Sequence, residues 1–78
     1  MDIMLIIGIF GSAIILVAFI LNQSNKWSSE RKSYDVANFI GATLLLIYAI
    51  STRSYPFILT NSIWGLFSLK DLLLKKEE

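Results

Sequence analysis

The chain has 78 residues, 55% of them apolar, a mean hydropathy of +0.64 and a net charge of only +1. So small a charge excludes nucleic-acid binding driven by phosphate neutralisation, and a soluble domain of this size buries too little surface to hide so much apolar material. Without Cys or His the chain lacks disulfides, thiol chemistry, the commonest metal ligand and the commonest general base, so no enzyme activity, metal or cofactor is expected.

The first element, Ile3–Leu21, is an uncharged apolar run. A helix rises about 1.5 Å per residue and a bilayer core is roughly 30 Å thick, so about 20 residues cross it. No basic residue precedes the run and no small-x-small cleavage site follows it, so it reads as a retained span rather than a signal segment. The amides Asn22, Gln23 and Asn25 then compete for backbone hydrogen bonds and stop the helix. A short polar loop, Asn22–Ser33, follows. Ser33 suits an N-cap for the second helix, with Asp35 near its positive end.

The second span centres on the uncharged run Val36–Ser51 and the third on Pro56–Leu69, with its apolar pattern continuing to Leu74. Arg53-Ser54-Tyr55 between them is tight enough to make them antiparallel neighbours. Pro56 suits a first helical turn, where its missing N–H costs nothing. The expected fold is an all-α integral membrane protein. It is a three-transmembrane-helix bundle in one membrane domain, residues 1–78, with helices over 3–21, 35–52 and 56–74.

Charge sets the expected orientation. Lys26, Arg31 and Lys32 lie in the first loop and Lys70, Lys75 and Lys76 near the carboxyl end, against Arg53 alone in the second loop. The richer side should face the cytoplasm, which puts the amino end outside and the carboxyl end inside a bacterial cytoplasmic membrane. Trp27, Tyr34 and Tyr55 flank the spans as interfacial aromatics do.

At helical spacing each span carries one small or polar stripe. On the first it is Gly8, Gly11, Ser12, Ile15 and Phe19; on the second Asn38, Gly41, Ala42, Leu45, Tyr48 and Ala49; on the third Asn61, Trp64, Gly65, Ser68 and Asp71. Gly8, Gly11, Ser12, Gly41 and Gly65 read as helix-packing positions, with Gly8-x-x-x-Ser12 in the small-xxx-small spacing. Asn38 reads as an interhelical hydrogen bond and Asp71 as an interfacial carboxylate beside Lys70. Asn61 has two readings of equal standing, an interhelical bond and a contact to a solute. With Leu44 and Leu66 as midpoints, Tyr48 lies about 6 Å, Asn61 about 7 Å and Trp64 about 3 Å to the outer side. An amide, a phenol and an indole at adjoining depths suit a pocket for a small polar solute.

The stretches Phe39–Ile50 and Tyr55–Ile63 resemble the SemiSWEET sugar transporters of the PQ-loop class. That family has a similar Phe-x-Gly…Tyr-Gly stretch, a tight loop and then Pro-x-x-x-x-Asn. The resemblance implies a parallel homodimer around one central path, with Asn61 at the position of a substrate-contacting Asn. Leu21-Asn22 stands where the family has a Pro-Gln hinge, and Leu45 where it has a pocket Trp. The expected substrate-contacting set is therefore Asn61, Tyr48, Trp64 and Leu45. The expected function is a dimeric transporter or facilitator of a small polar solute, such as a sugar, by alternating access. An accessory or structural membrane subunit and a holin-like pore former are the alternatives.

Overall fold

The computed structural model describes residues 2–28 and 31–74. They form three α-helices: α1 over Ile3–Gln23, α2 over Lys32–Ser51 and α3 over Tyr55–Leu74. Each is long and apolar enough to cross a bilayer. The molecule measures 38 × 22 × 17 Å along its principal axes, so its long dimension exceeds a hydrocarbon core of roughly 30 Å. Lys75 and Lys76, counted above towards orientation, lie outside the described residues.

The helix ends follow from local chemistry. Asp2 caps α1 by accepting the Met4 N–H at 3.1 Å. The helix then runs two residues past Leu21, and its end is closed by a Schellman motif. Asn25 takes a left-handed φ of 63°, the Lys26 N–H donates to the Leu21 carbonyl, and the Asn25 N–H donates to the Asn22 carbonyl. The Asn22 side chain donates to the Trp27 carbonyl at 3.0 Å, so this amide closes the turn. α2 starts earlier than expected. Arg31, not Ser33, occupies its N-cap position, and it makes no side-chain cap bond. The polar run from Lys32 to Asp35 is thus part of the helix.

The turn between α2 and α3 repeats the first motif. Arg53 has φ 56°, the Ser54 N–H donates to the Ala49 carbonyl, and the Arg53 N–H donates to the Ile50 carbonyl. The Ser54 carbonyl accepts the first bond of α3 from Ile58 at 2.9 Å. Three residues, Thr52 to Ser54, therefore reverse the chain, and Pro56 falls in the first turn of α3.

α2 is the central helix. It packs against both α1 and α3, whose backbones do not approach within 8 Å of each other. The contact with α1 depends on glycine. A Cβ built on Gly41 would sit 3.0 Å from the Gly11 carbonyl oxygen, and one on Gly8 would sit 2.8 Å from the Tyr48 ring. Only glycine lets the backbones meet this closely. Buried α1 positions are Gly8, Gly11 and Ala18. Ser12 is exposed, so the packing ridge is the Gly8–Gly11–Ala18 line and not Gly8-x-x-x-Ser12. Gly65 faces Ala42 at an ordinary 3.6 Å and is no close-approach site.

The wholly buried apolar residues are small: Ala18, Ala42 and Ala49. Large apolar side chains such as Ile9, Phe10, Leu16, Ile40, Phe57, Leu59, Leu66 and Phe67 lie on the outside. On α3 only Ser68 is buried among the described residues. A soluble protein inverts this arrangement; helices packed through small residues with large ones outward are what a lipid surround favours.

Candidate functional site: a groove along the central helix

Because α1 and α3 flank α2 without meeting, a groove runs along one face of α2. It contains two chambers. The one nearer the α2–α3 turn has a volume of about 650 Å³ and is lined by Ser12, Leu45, Tyr48, Ala49, Thr52, Ser54, Phe57, Thr60 and Asn61. The next, about 440 Å³, is lined by Ser12, Ile15, Leu16, Phe19, Tyr34, Asn38, Leu45 and Trp64. Ser12 and Leu45 line both, where the two adjoin. Beside both chambers, a cleft of about 500 Å³ between α2 and α3 runs from Leu59 and Thr60, near the α2–α3 turn, to Asp71. Tyr34, Asn38 and Trp64 line it too, together with Asp35, Ser68 and Asp71.

The first chamber brings Tyr48, Asn61 and Leu45 together, and adds Ser12 from the first helix. It does not include Trp64. The depth estimate explains the difference. α2 and α3 span Lys32–Ser51 and Tyr55–Leu74, so their centres fall at Gly41–Ala42 and Trp64–Gly65 rather than at Leu44 and Leu66. Ala42 faces Gly65 across the interface, as those centres require. Trp64 is therefore central, and Tyr48 lies about one turn nearer the α2–α3 turn than Asn61. Both still reach the chamber because it extends along the groove.

The polar groups divide into two kinds. Thr43, Thr60, Ser51 and Thr52 return their hydroxyls to carbonyls three or four residues back, at 2.7 to 3.2 Å. A hydroxyl satisfied by its own helix can face an apolar surround. Among the described residues, the Asn61 amide, the Tyr48 hydroxyl and the Ser12 hydroxyl make no hydrogen bond. These three line one chamber together with the Ser54 hydroxyl, which is uncommitted too, and the chamber contains no Lys, Arg, Asp or Glu; Asn61 also borders a pocket of about 320 Å³ with Thr43 and Ser62. An unpaired amide in hydrocarbon costs several kcal/mol, so this face calls for water, a solute or a second protein surface.

Asn38, 5% exposed, behaves differently. Its amide N–H donates to the Tyr34 carbonyl at 2.8 Å, and its oxygen accepts the Trp64 indole N–H at 3.1 Å. That is the expected interhelical bond, and it ties α2 to α3. Asp71 sits 3.8 Å from the Lys70 ammonium, both about half exposed, and Lys70 lies 5.5 Å above the Phe67 ring. An exposed pair of this kind adds little stability. Asp35, 3% exposed, occupies the first turn of α2, where helix polarity favours a carboxylate. Its burial has no counterpart in the stripes read from the sequence. No cluster of three or more metal-ligating side chains occurs among the described residues.

A family model, that of a family of unknown function, matches residues 4–74, and the chain belongs to that family. No curated protein and no solved structure matches it.

Proposed function

We propose that this family member acts as a homodimer in a bacterial cytoplasmic membrane. In this reading two copies, arranged in parallel, turn their grooves towards each other and pass a small uncharged polar solute across the bilayer by alternating access. The supporting observation is the trio Ser12, Tyr48 and Asn61, uncommitted in hydrogen bonding around one chamber without formal charge. Hydroxyl and amide groups of this kind offer donors and acceptors to a polyol or sugar, whereas an ionic solute would lack a counter-charge. Three helices with a laterally open groove do not enclose a path alone, and twofold pairing is the commonest closure. The excess of Lys and Arg at the α1–α2 loop and carboxyl end supports placing that end in the cytoplasm. The similarity of Phe39–Ile50 and Tyr55–Ile63 to SemiSWEET transporters points the same way.

The role of each residue follows. Asn61 bonds solute hydroxyls, Tyr48 adds a phenol and a ring face, Leu45 gives an apolar wall, and Gly8 gives the Tyr48 ring its seat. Trp64 enters in the second chamber. The test is flux of neutral polyols and sugars into proteoliposomes. Unaltered protein should exceed empty vesicles, and Asn61→Leu should lower the flux about tenfold, the equivalent of one hydrogen bond, with the oligomer retained. Equal flux in both removes Asn61 from the path.

One observation favours a second reading. Ser68 is the one buried residue among the described residues of α3, and the exposed outer side of this helix suits an accessory subunit docked on a larger membrane protein. A stoichiometric partner retained in mild detergent, with no flux from the purified chain, would select it.

A further inference from the structure

The cleft between α2 and α3 differs from the chambers beside it in having two carboxylates in its wall. We propose that it binds a free primary alkylammonium ion, with the cationic head between Asp35 and Asp71 and the alkyl tail along Ile63 and Leu59. The cleft shares only Thr60 with the first chamber, and this site stands independently of the passage reading.

Polarity is graded along the cleft. Its α3 wall is one helical face that runs from Leu59 to Asp71, a rise of about 18 Å. Leu59 and Ile63 make the apolar end, nearer the α2–α3 turn, and Ser68 and Asp71 the polar one. The Trp64–Asn38 bond sets the level of α2 against α3. Because the two helices run antiparallel, Asp35 stands about one turn from that bond on the side of Ser68 and Asp71. Both carboxylates therefore belong to the same end, and Asp35 is only 3% exposed. An ionisable group in a membrane span faces protein or a cavity, where it marks an ion or substrate site.

Ser68 is a separate pointer to a ligand. It is 8% exposed and lines the cleft, yet its hydroxyl makes no hydrogen bond among the described residues. Thr60, on the same wall, returns its hydroxyl to the Pro56 carbonyl. A buried hydroxyl without such a bond calls for a partner inside the cleft, and an ammonium N–H is one.

The rings decide the class of cation. Tyr34, Trp64 and Phe67 border the cleft, and aromatic faces attract organic cations. The Trp64 N–H lies in the plane of its ring, so its bond to Asn38 uses neither indole face. A hard metal ion instead needs about six oxygen ligands, and no group of three metal-ligating side chains occurs among the described residues. The chain's own Lys70 stands 3.8 Å from Asp71 and 5.5 Å above the Phe67 ring. A primary ammonium held by carboxylate and ring together is thus a pairing that this end of the cleft already supports.

The chain has two tryptophans, so Trp27→Phe leaves Trp64 emission as the readout. This variant, in uncharged maltoside micelles, is titrated with hexylammonium chloride, and helical content by circular dichroism reports folding. The emission should change saturably. Half-saturation should rise about tenfold when Asp35→Asn or Asp71→Asn is added, and about threefold with Ser68→Ala. Hexanol, which has the tail without the charge, and potassium chloride, which has the charge without the tail, should neither reproduce the change nor compete with it. No saturable change, or the same half-saturation in all three folded variants, overturns the site. Competition by hexanol or potassium as strong as that of the probe also overturns it. Displacement of the probe by phosphatidylethanolamine would give the cleft to a lipid head and overturn the free ion as its occupant.

Discussion

At the residue scale, glycine positions with different surroundings should respond with opposite signs. Gly41→Ala drives a methyl group against the Gly11 carbonyl and the Ile15 side chain, and such overpacking should cost about 2 kcal/mol. Gly65→Ala meets only Ala42 at 3.6 Å, and it should stabilise α3 by about 0.5 kcal/mol through reduced backbone freedom in the unfolded chain. Reversible unfolding in bicelles measures both, and a Gly41→Ala variant as stable as the parent would contradict the packing. Arg53 carries a side chain in the left-handed region, where L-residues are disfavoured by roughly 1–2 kcal/mol. Arg53→Gly should therefore raise stability by up to about 1 kcal/mol in the same assay. The opposite result would show that the arginine makes good its strain through contacts of its own.

Much of this detail is legible in the spacing of small residues. Gly8, Gly11, Asn38, Gly41, Ala42, Ala49 and Ser68 lie on the stripes read at helical period, and all are buried. The period fails where two ridges share a residue. Gly8 begins both the line to Ser12 and the line to Gly11 and Ala18, and only the position of α2 decides between them. The interhelical bond of Asn38 is legible, but its partner, Trp64, is not. It joins residues 26 apart in sequence, and its geometry depends on where α2 begins. The start of α2 is read late because Lys32 and Ser33 read as loop.

At the scale of elements, the order of the helices in space is the main thing the sequence leaves open. Periodicity identifies a helix face but not the neighbour that covers it. Here α2 meets both partners, with Gly41 and Tyr48 towards α1 and Asn38 and Ala42 towards α3. Cross-linking checks this order directly. A Cβ on Gly65 would stand 3.6 Å from that of Ala42, within the range of a disulfide. The double variant Ala42→Cys, Gly65→Cys should thus close an intrachain bond on mild oxidation. A Gly8→Cys, Gly65→Cys pair, which would need α1 to meet α3, should not. Bond formation in the second pair and not the first would place α3 beside α1 and erase the groove.

For the whole molecule, a core built of alanine and glycine with large side chains outward does not hold together by burying apolar surface from water. In a bilayer such a chain would owe its stability to close backbone contact, the Trp64–Asn38 bond and the lipid around it. The same organisation gives the groove its meaning, because it gathers Ser12, Tyr48 and Asn61 in one chamber without charged residues. Spin labels read that division most directly. Labels at Ser12, Tyr48 and Asn61, and at the outward positions Ile9, Phe10 and Ile40, can be compared in lipid bilayers for collisions with a water-soluble nickel chelate and with oxygen, which concentrates in acyl chains. Greater access to nickel at the first three and to oxygen at the last three is the expected result; oxygen access at residues 12, 48 and 61 equal to that at the outward positions would mean that the groove faces lipid and that no passage forms there.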